Sequence, residues 1–279
     1  MRVVDDQAIR AHAAIRFRSE YHYAVFEYWR SAKVLRFLER NGVFRLGRVL
    51  DDGCGGGGMC VSLGEETVLV VGIDLTNRFG AAAVPLAREK QVDTVRFSMA
   101  DGLALPFADG VFDTVLSHAV IEHVADPLAY LFEVRRVLRT RGQFYLQTQP
   151  YLSPSGAHLP RLKVPVPLHL LLGRNLAFRI SRWLAAHAPA MLDVPREGSS
   201  FLTMAMRGET KMDDLLNRVT VRKLRAQIAD AGFRVLREEL YPSGLARKWL
   251  PGLVVRSLPK VPFARDVLVT NMEYLLRAE

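Results

Sequence analysis

Three aspartates and a run of glycines carry the most chemistry in this chain. Asp51 closes the apolar run "RVLDD", and Gly53, Gly55, Gly56, Gly57 and Gly58 follow it in "GCGGGGMC". Glycine inside an element costs roughly 0.5–1 kcal/mol relative to alanine, so such a cluster marks backbone that bends sharply or lets another group come close. Read as strand, tight turn and helix start, it offers backbone N–H groups and a helix N-terminus to a ligand. Asp74 ends "VVGID", 19 residues after Gly55, where a carboxylate can accept both hydroxyls of a ribose. Asp101, in "MADGLALPF" and a further 27 residues on, is suited to accept from an exocyclic amino group. His118 after "VLS", His123 in "IEHV" and His158 in "PYLSPSGAHLP" are candidate proton acceptors, because imidazole titrates near neutral pH.

These residues need a frame that brings strand ends together. Short β-rich runs at 48–52, 67–74, 94–100, 112–117 and 142–149 alternate with helical segments at 59–66, 80–90 and 126–139. That alternation predicts an α/β fold with a mostly parallel sheet covered on both faces, and ligands of such sheets bind at the carboxyl ends of the strands. Residues 5–41 read as helical, with Tyr23, Phe26, Tyr28, Trp29, Leu35 and Leu38 at mixed three and four spacing. After Pro150 a proline-rich basic segment precedes a helix ended by Gly232 and a strand to about 240. A second proline-rich segment at 242–262 leads to a last strand read at 265–278.

The motifs resemble those of the class I S-adenosylmethionine-dependent methyltransferases, in the broad group that includes the ubiquinone and menaquinone biosynthesis enzymes. "VLDDGCGGG", "VGID", "ADGLALPF", "FDTVLSHAVIEHVADP" and "EVRRVLRTRGQFYL" occur in order over about residues 45–150. The resemblance implies a Rossmann-like seven-stranded sheet with its last strand antiparallel. It divides the chain into an N-terminal helical extension (1–44), a cofactor-binding core (45–150) and basic lid insertions with the final helix and strands of the same sheet (151–279). It implies that Asp51, Gly53, Gly55 and Gly57 cradle the methionine end of S-adenosylmethionine, that Asp74 with Leu75 holds the ribose, and that Asp101 with Gly102 holds the adenine. Cys54, a small packing residue, and Ser117 complete the implied cofactor set. Asp52 falls at the variable position of the first motif and is read as structural.

Some relatives of this class bind a divalent cation through Glu-x-x-Glu-His and a later histidine. Here Glu122, His123 and His158 match while Ala119 replaces the first glutamate, which leaves a hard cation short of oxygen ligands. A metal is therefore the weaker reading. Aromatics of "SEYHYAVFEYW" could close over the cofactor or simply pack as core.

The net charge of +9 lies entirely in the second half, since residues 1–150 hold 18 Lys/Arg against 18 Asp/Glu. Basic residues interleaved with Leu, Val, Phe and Trp in the lid segments suit an anionic or amphipathic small-molecule acceptor, or contact with an anionic membrane surface. A nucleic-acid methyltransferase and a non-catalytic S-adenosylmethionine-binding protein are the competing readings. The loop after the fourth strand lacks the Asn/Asp-Pro-Pro-Tyr/Phe of base amino-methyltransferases, and no RNA-binding module is appended. With two cysteines and no long apolar run, neither a disulfide framework nor a membrane span is expected, and the expected location is cytoplasmic.

Overall fold

The computed structural model describes residues 4–16, 18–153, 161–162, 168–193 and 217–279. Seven strands form one sheet: β1 (Arg48–Asp52), β2 (Leu69–Asp74), β3 (Val95–Met99), β4 (Phe112–His118), β5 (Leu138–Thr148), β6 (Phe233–Pro242) and β7 (Val269–Ala278). Their order is β3-β2-β1-β4-β5-β7-β6, with β1 to β5 parallel and β7 antiparallel to both neighbours. From β1 the chain winds outward to β3, then returns to β4 and winds the other way. The carboxyl ends of β1 and β4 therefore flank the topological switch point, where open α/β sheets bind ligands.

Alternate side chains serve two cores. Leu50, Val115, Phe144, Leu146 and Tyr274 face α5 (Pro127–Val137) and α8 (Val221–Asp230), while Val49, Leu116, Tyr145 and Leu275 face α2 (Glu20–Arg40), α3 (Gly58–Gly64) and α4 (Arg78–Glu89). Burial on both faces explains the near-continuous apolar runs read from the sequence. Local signals start and stop the helices. Asp126 accepts from the N–H groups of Leu128 and Ala129 (3.0 and 3.1 Å) ahead of Pro127, and Thr220 caps α8.

The helical stretch read at the N-terminus is two helices, α1 (Asp6–Ile15) and α2, because Ser19 accepts from His22 N–H and starts a new helix. The last strand begins at Val269 rather than 265. Pro262 stands in the first turn of α11 (Pro262–Leu268), which occupies the preceding residues. The second proline-rich segment likewise folds into short helices, α9 (Gly244–Trp249) and α10 (Gly252–Ser257), before α11. In the first lid segment, α6 (Leu168–Leu172) and α7 (Arg174–His187) precede a two-residue antiparallel ladder of Leu192–Asp193 with Arg161–Leu162. Among the described residues, no helix is long and apolar enough to cross a membrane.

Candidate active site

At the end of β1 the backbone turns through Gly53, Gly55 and Gly57, all at positive φ. The turn is held by its neighbour strand: Gly53 and Cys54 donate N–H bonds to Ile73 O (2.9 and 2.8 Å), and Gly55 N–H donates to Asp74 Oδ2 (2.9 Å). Asp74 Oδ1 accepts from the backbone N–H and hydroxyl of Thr76 (3.0 and 2.9 Å). Oδ1 is thereby filled and Oδ2 keeps one lone pair, so Asp74 as it stands can accept one further hydroxyl, and a second only when the Thr76 hydroxyl turns away. Leu75 beside it is exposed. Asp101 uses Oδ1 to accept from Leu103 N–H (2.9 Å), a turn-forming role that leaves its other oxygen available. Gly102 packs against Tyr130 and Asp52, and a Cβ there would crowd both.

The cluster's glycines do not all serve a ligand. A Cβ at Gly58 would collide with the backbone carbonyl of Ala24, so at this position the approaching group is helix α2 itself. α2 is pinned over the turn by two bonds from Arg78 Nε and Nη2 to one oxygen of Glu20 (3.0 and 2.8 Å) and by Ser31 Oγ to Ser62 Oγ (2.6 Å). Tyr28 hydroxyl donates to Glu65 (2.6 Å) and Tyr21 hydroxyl to Glu89, which turns both rings toward helix ends instead of the turn. Tyr23 stays with the turn, under the Arg78 guanidinium at 5.5 Å.

Carboxylates gather around the end of β1, Asp51 on the α2 side of the sheet and Asp52 on the side of α5. Asp51 is 1% exposed and accepts from the Cys60 thiol (3.1 Å); burial pushes its carboxyl up to about 6. Burial likewise pushes Asp52 and Glu27 up to about 7. Sequence position alone made Asp52 structural. In the fold it is 3% exposed, Tyr130 hydroxyl lies between it and Ser117 Oγ (2.8 Å to the latter), and its Oδ2 has no partner among the described residues. Ser117 thus points its hydroxyl into the core toward Tyr130, and only its backbone lies at the strand end. Cys54 and Cys60 are buried free thiols, both pushed up, in keeping with packing rather than nucleophilic roles.

These raised carboxyls make a stability prediction. Their folded pKa values of about 6–7 exceed the unfolded values near 4, so the stability they contribute is full below about pH 4 and is lost as pH rises through 6–7. Thermal melts of the unliganded protein are expected to show a melting temperature that falls across this window, and Asp52→Asn is expected to flatten the fall. A melting temperature that rises with pH there would contradict the burial assignment.

His118 ends β4. Its Nδ1 is buried without a partner among the described residues, and burial, with the charge of Arg30, holds its pKa well below the ordinary histidine range. Its cross-strand neighbour Gln147 is 4% exposed, donates to Asn271 and leaves Oε1 without a described partner. The next residue, Ala119, is left-handed at φ 60 and is held by its N–H bond to Gln147 O (2.9 Å). That conformation costs a non-glycine residue roughly 1–2 kcal/mol and turns the chain away just past His118. The loop beyond is fastened by Asn217, whose side-chain amide donates to Ile121 O and Val124 O (2.5 and 2.9 Å). His123 sits in this loop, its N–H bonded to Val120 O (2.7 Å). Glu122 is buried and accepts from Thr148 hydroxyl (2.7 Å). His158 lies outside the described residues. Among the described residues, no group of three or more His, Cys, Asp or Glu side chains is arranged to hold a metal ion.

Glu27, Arg30, Asp52 and Gln147 were not read from the sequence as site residues. Glu27 and Arg30 look like ordinary charges on an amphipathic helix, and Gln147 like one residue of a strand. Only Asp52 left a signal, a carboxylate in the middle of an apolar strand end.

Residues 50–146 match the family described as methyltransferase domain. An uncharacterized methyltransferase, YcgJ of Bacillus subtilis, is 33% identical over 123 residues, 42% of this chain and 49% of that protein. A ubiquinone biosynthesis O-methyltransferase of Cereibacter sphaeroides is 36% identical over 104 residues, 36% of this chain and 40% of that protein. The chain thus spans about half the length, or less, of these curated relatives. In fold, it is similar to geranyl diphosphate C-methyltransferase of Streptomyces coelicolor, with a TM-score of 0.53 at 16% identity over 89% of this chain and 79% of that one. Residues 50–146 thus match a methyltransferase domain, and the chain has the Rossmann-like fold of the class I S-adenosylmethionine-dependent methyltransferases.

Proposed function

We propose that this chain transfers a methyl group from S-adenosylmethionine to a hydroxyl of a small-molecule acceptor. The observation that carries the reading is that the glycine turn, Asp74, Asp101 and His118, whose buried Nδ1 has no partner among the described residues, all lie at the carboxyl ends of the parallel strands. S-adenosylmethionine supplies, when bound, a methyl on a sulfonium centre whose departure leaves a neutral thioether. The chain's part is then to align the acceptor, exclude water and take up the hydroxyl proton.

His118 is the proton acceptor in this reading. Its depressed pKa keeps the imidazole neutral, the form that accepts a proton, throughout the neutral range. Gln147, beside it in register, offers Oε1 to orient a hydroxyl. The ubiquinone-pathway relative, an O-methyltransferase by name, supports oxygen as the acceptor atom. The lid supports an anionic acceptor with an apolar body: among the described residues Leu171, Leu176, Trp183 and Leu253 are exposed, with Arg179, Arg182 and Arg256 exposed near them in sequence.

Once an acceptor is found by screening hydroxylated amphipathic anions, His118→Asn is expected to lower turnover by about 10²–10³-fold while leaving S-adenosylmethionine affinity unchanged. The acidic limb of the wild-type rate profile is expected below the ordinary histidine range. Turnover within a few-fold of wild type would remove His118 from the chemistry.

A further inference from the structure

One buried carboxylate over the glycine turn is only partly satisfied by the fold's own bonding, through a backbone bond from Gly58 and the charge of Arg30. Glu27 projects from α2 and is 8% exposed. Its Oε1 and Oε2 lie 3.9 and 3.4 Å from the positions a Cβ would take at Gly55 and Gly56, so the carboxylate rests directly on the turn. Oε2 has no hydrogen-bond partner among the described residues, and the nearest cation, Arg30, stands 3.7 Å from Oε1 on the same helix. A buried, under-partnered carboxylate is costly, and a helix this closely docked could have carried an apolar residue here. The cost is recovered if a cationic ligand group completes the site.

We infer that Glu27 of helix α2 is the counter-charge for the α-ammonium group at the amino-acid end of the cofactor, making α2 a specificity element of the binding site as well as its roof. The inference rests on the S-adenosylmethionine assignment of the preceding section. Its chemistry is a charge-assisted N–H···O bond in a site that excludes water, where such bonds are strongest. The groups facing Glu27 are Asp51 at the end of β1, Arg30 and Tyr23 on α2, and Arg78 on α4. Burial and Asp51 favour its protonated form and the two arginines its ionised form. The carboxyl therefore ionises at about 7 in the unliganded protein.

The test compares two ligands on wild type and Glu27→Gln by calorimetric titration. S-adenosylmethionine has the amino-acid end, and 5′-methylthioadenosine keeps the adenosine and sulfur but lacks it. Glu27→Gln is expected to weaken S-adenosylmethionine about ten- to a hundredfold and to leave 5′-methylthioadenosine within about twofold, since one hydrogen bond to a charged group is removed. Equal weakening of both ligands would make Glu27 a shaper of the turn and overturn the inference, as would no weakening of either. Wild type that binds both ligands equally would also overturn it while leaving the adenosine site in place. Wild type that binds neither would overturn the cofactor assignment itself, and the inference with it. If Glu27→Gln does not fold, wild type alone decides. Its affinity for S-adenosylmethionine should rise between about pH 6 and pH 8 while that for 5′-methylthioadenosine stays level, and level profiles for both overturn the inference.

Discussion

Asp74→Ala is expected to bind S-adenosylmethionine about a hundredfold or more weakly than wild type, the largest loss of affinity for any single substitution in the site. Hydrogen bonding from the ribose hydroxyls to a carboxylate is lost, each such bond worth roughly 1.5–3 kcal/mol. A second effect adds to the first, because Asp74 Oδ2 also accepts the Gly55 N–H and so shapes the turn that the rest of the ligand rests on. Asp74→Asn separates the two. Its amide oxygen can still accept from Gly55 or Thr76 while the charge is gone, so its affinity should fall between those of wild type and Asp74→Ala. Titration of S-adenosylmethionine and S-adenosylhomocysteine into the three proteins measures this directly. An Asp74→Ala protein that folds and binds within about threefold of wild type would mean that the glycine turn serves a different ligand.

Gly58→Ala is expected to be the most damaging small substitution for stability. The added methyl would meet the carbonyl of Ala24, which is helical backbone in the second turn of the 21-residue α2 and cannot rotate aside. Overpacking of this kind typically costs about 1–3 kcal/mol, and here relief requires lifting α2 off α3 and weakening the Ser31–Ser62 contact. Chemical denaturation should show a loss near the upper end of that range, and ligand affinity should fall as well, because α2 carries Glu27 over the turn. Unchanged stability would show that the helix pair has room the packing does not suggest. Ala substitution at Gly56, whose Cβ position meets nothing closer than 3.4 Å, should cost much less.

The two substitutions probe different kinds of information. Asp74 was legible in the sequence as a candidate because its signal depends on chain order: a strand end, at a set distance from a glycine turn, carrying a carboxylate. The same holds for Asp101 and for the parallel sheet, whose strands are buried on both faces and so read as apolar runs. Local chemistry placed helix starts as well, at Asp126 with Pro127 and at Thr220, since a cap bonds to N–H groups two or three residues away.

What lay beyond the sequence depends on contacts between residues far apart in it. Gly58 looks like one more glycine of a ligand turn until α2 is seen against it, 34 residues away in sequence from Ala24. Glu27 looks like the polar face of an amphipathic helix, and its burial follows only from where that helix docks. The proline-rich stretch at 242–262 folds into short helices, and proline is tolerated in a helix's first turn, where its missing N–H is not needed, as Pro262 is at the start of α11. The sequence by itself determined the sheet, the order of the motifs and the carboxylates at the strand ends, because strand periodicity and turn chemistry are properties of neighbouring residues. The tertiary structure alone decided which charges are buried around the end of β1, which glycine receives a helix and that His118 meets Gln147, because burial and pairing are set by the packing of distant segments.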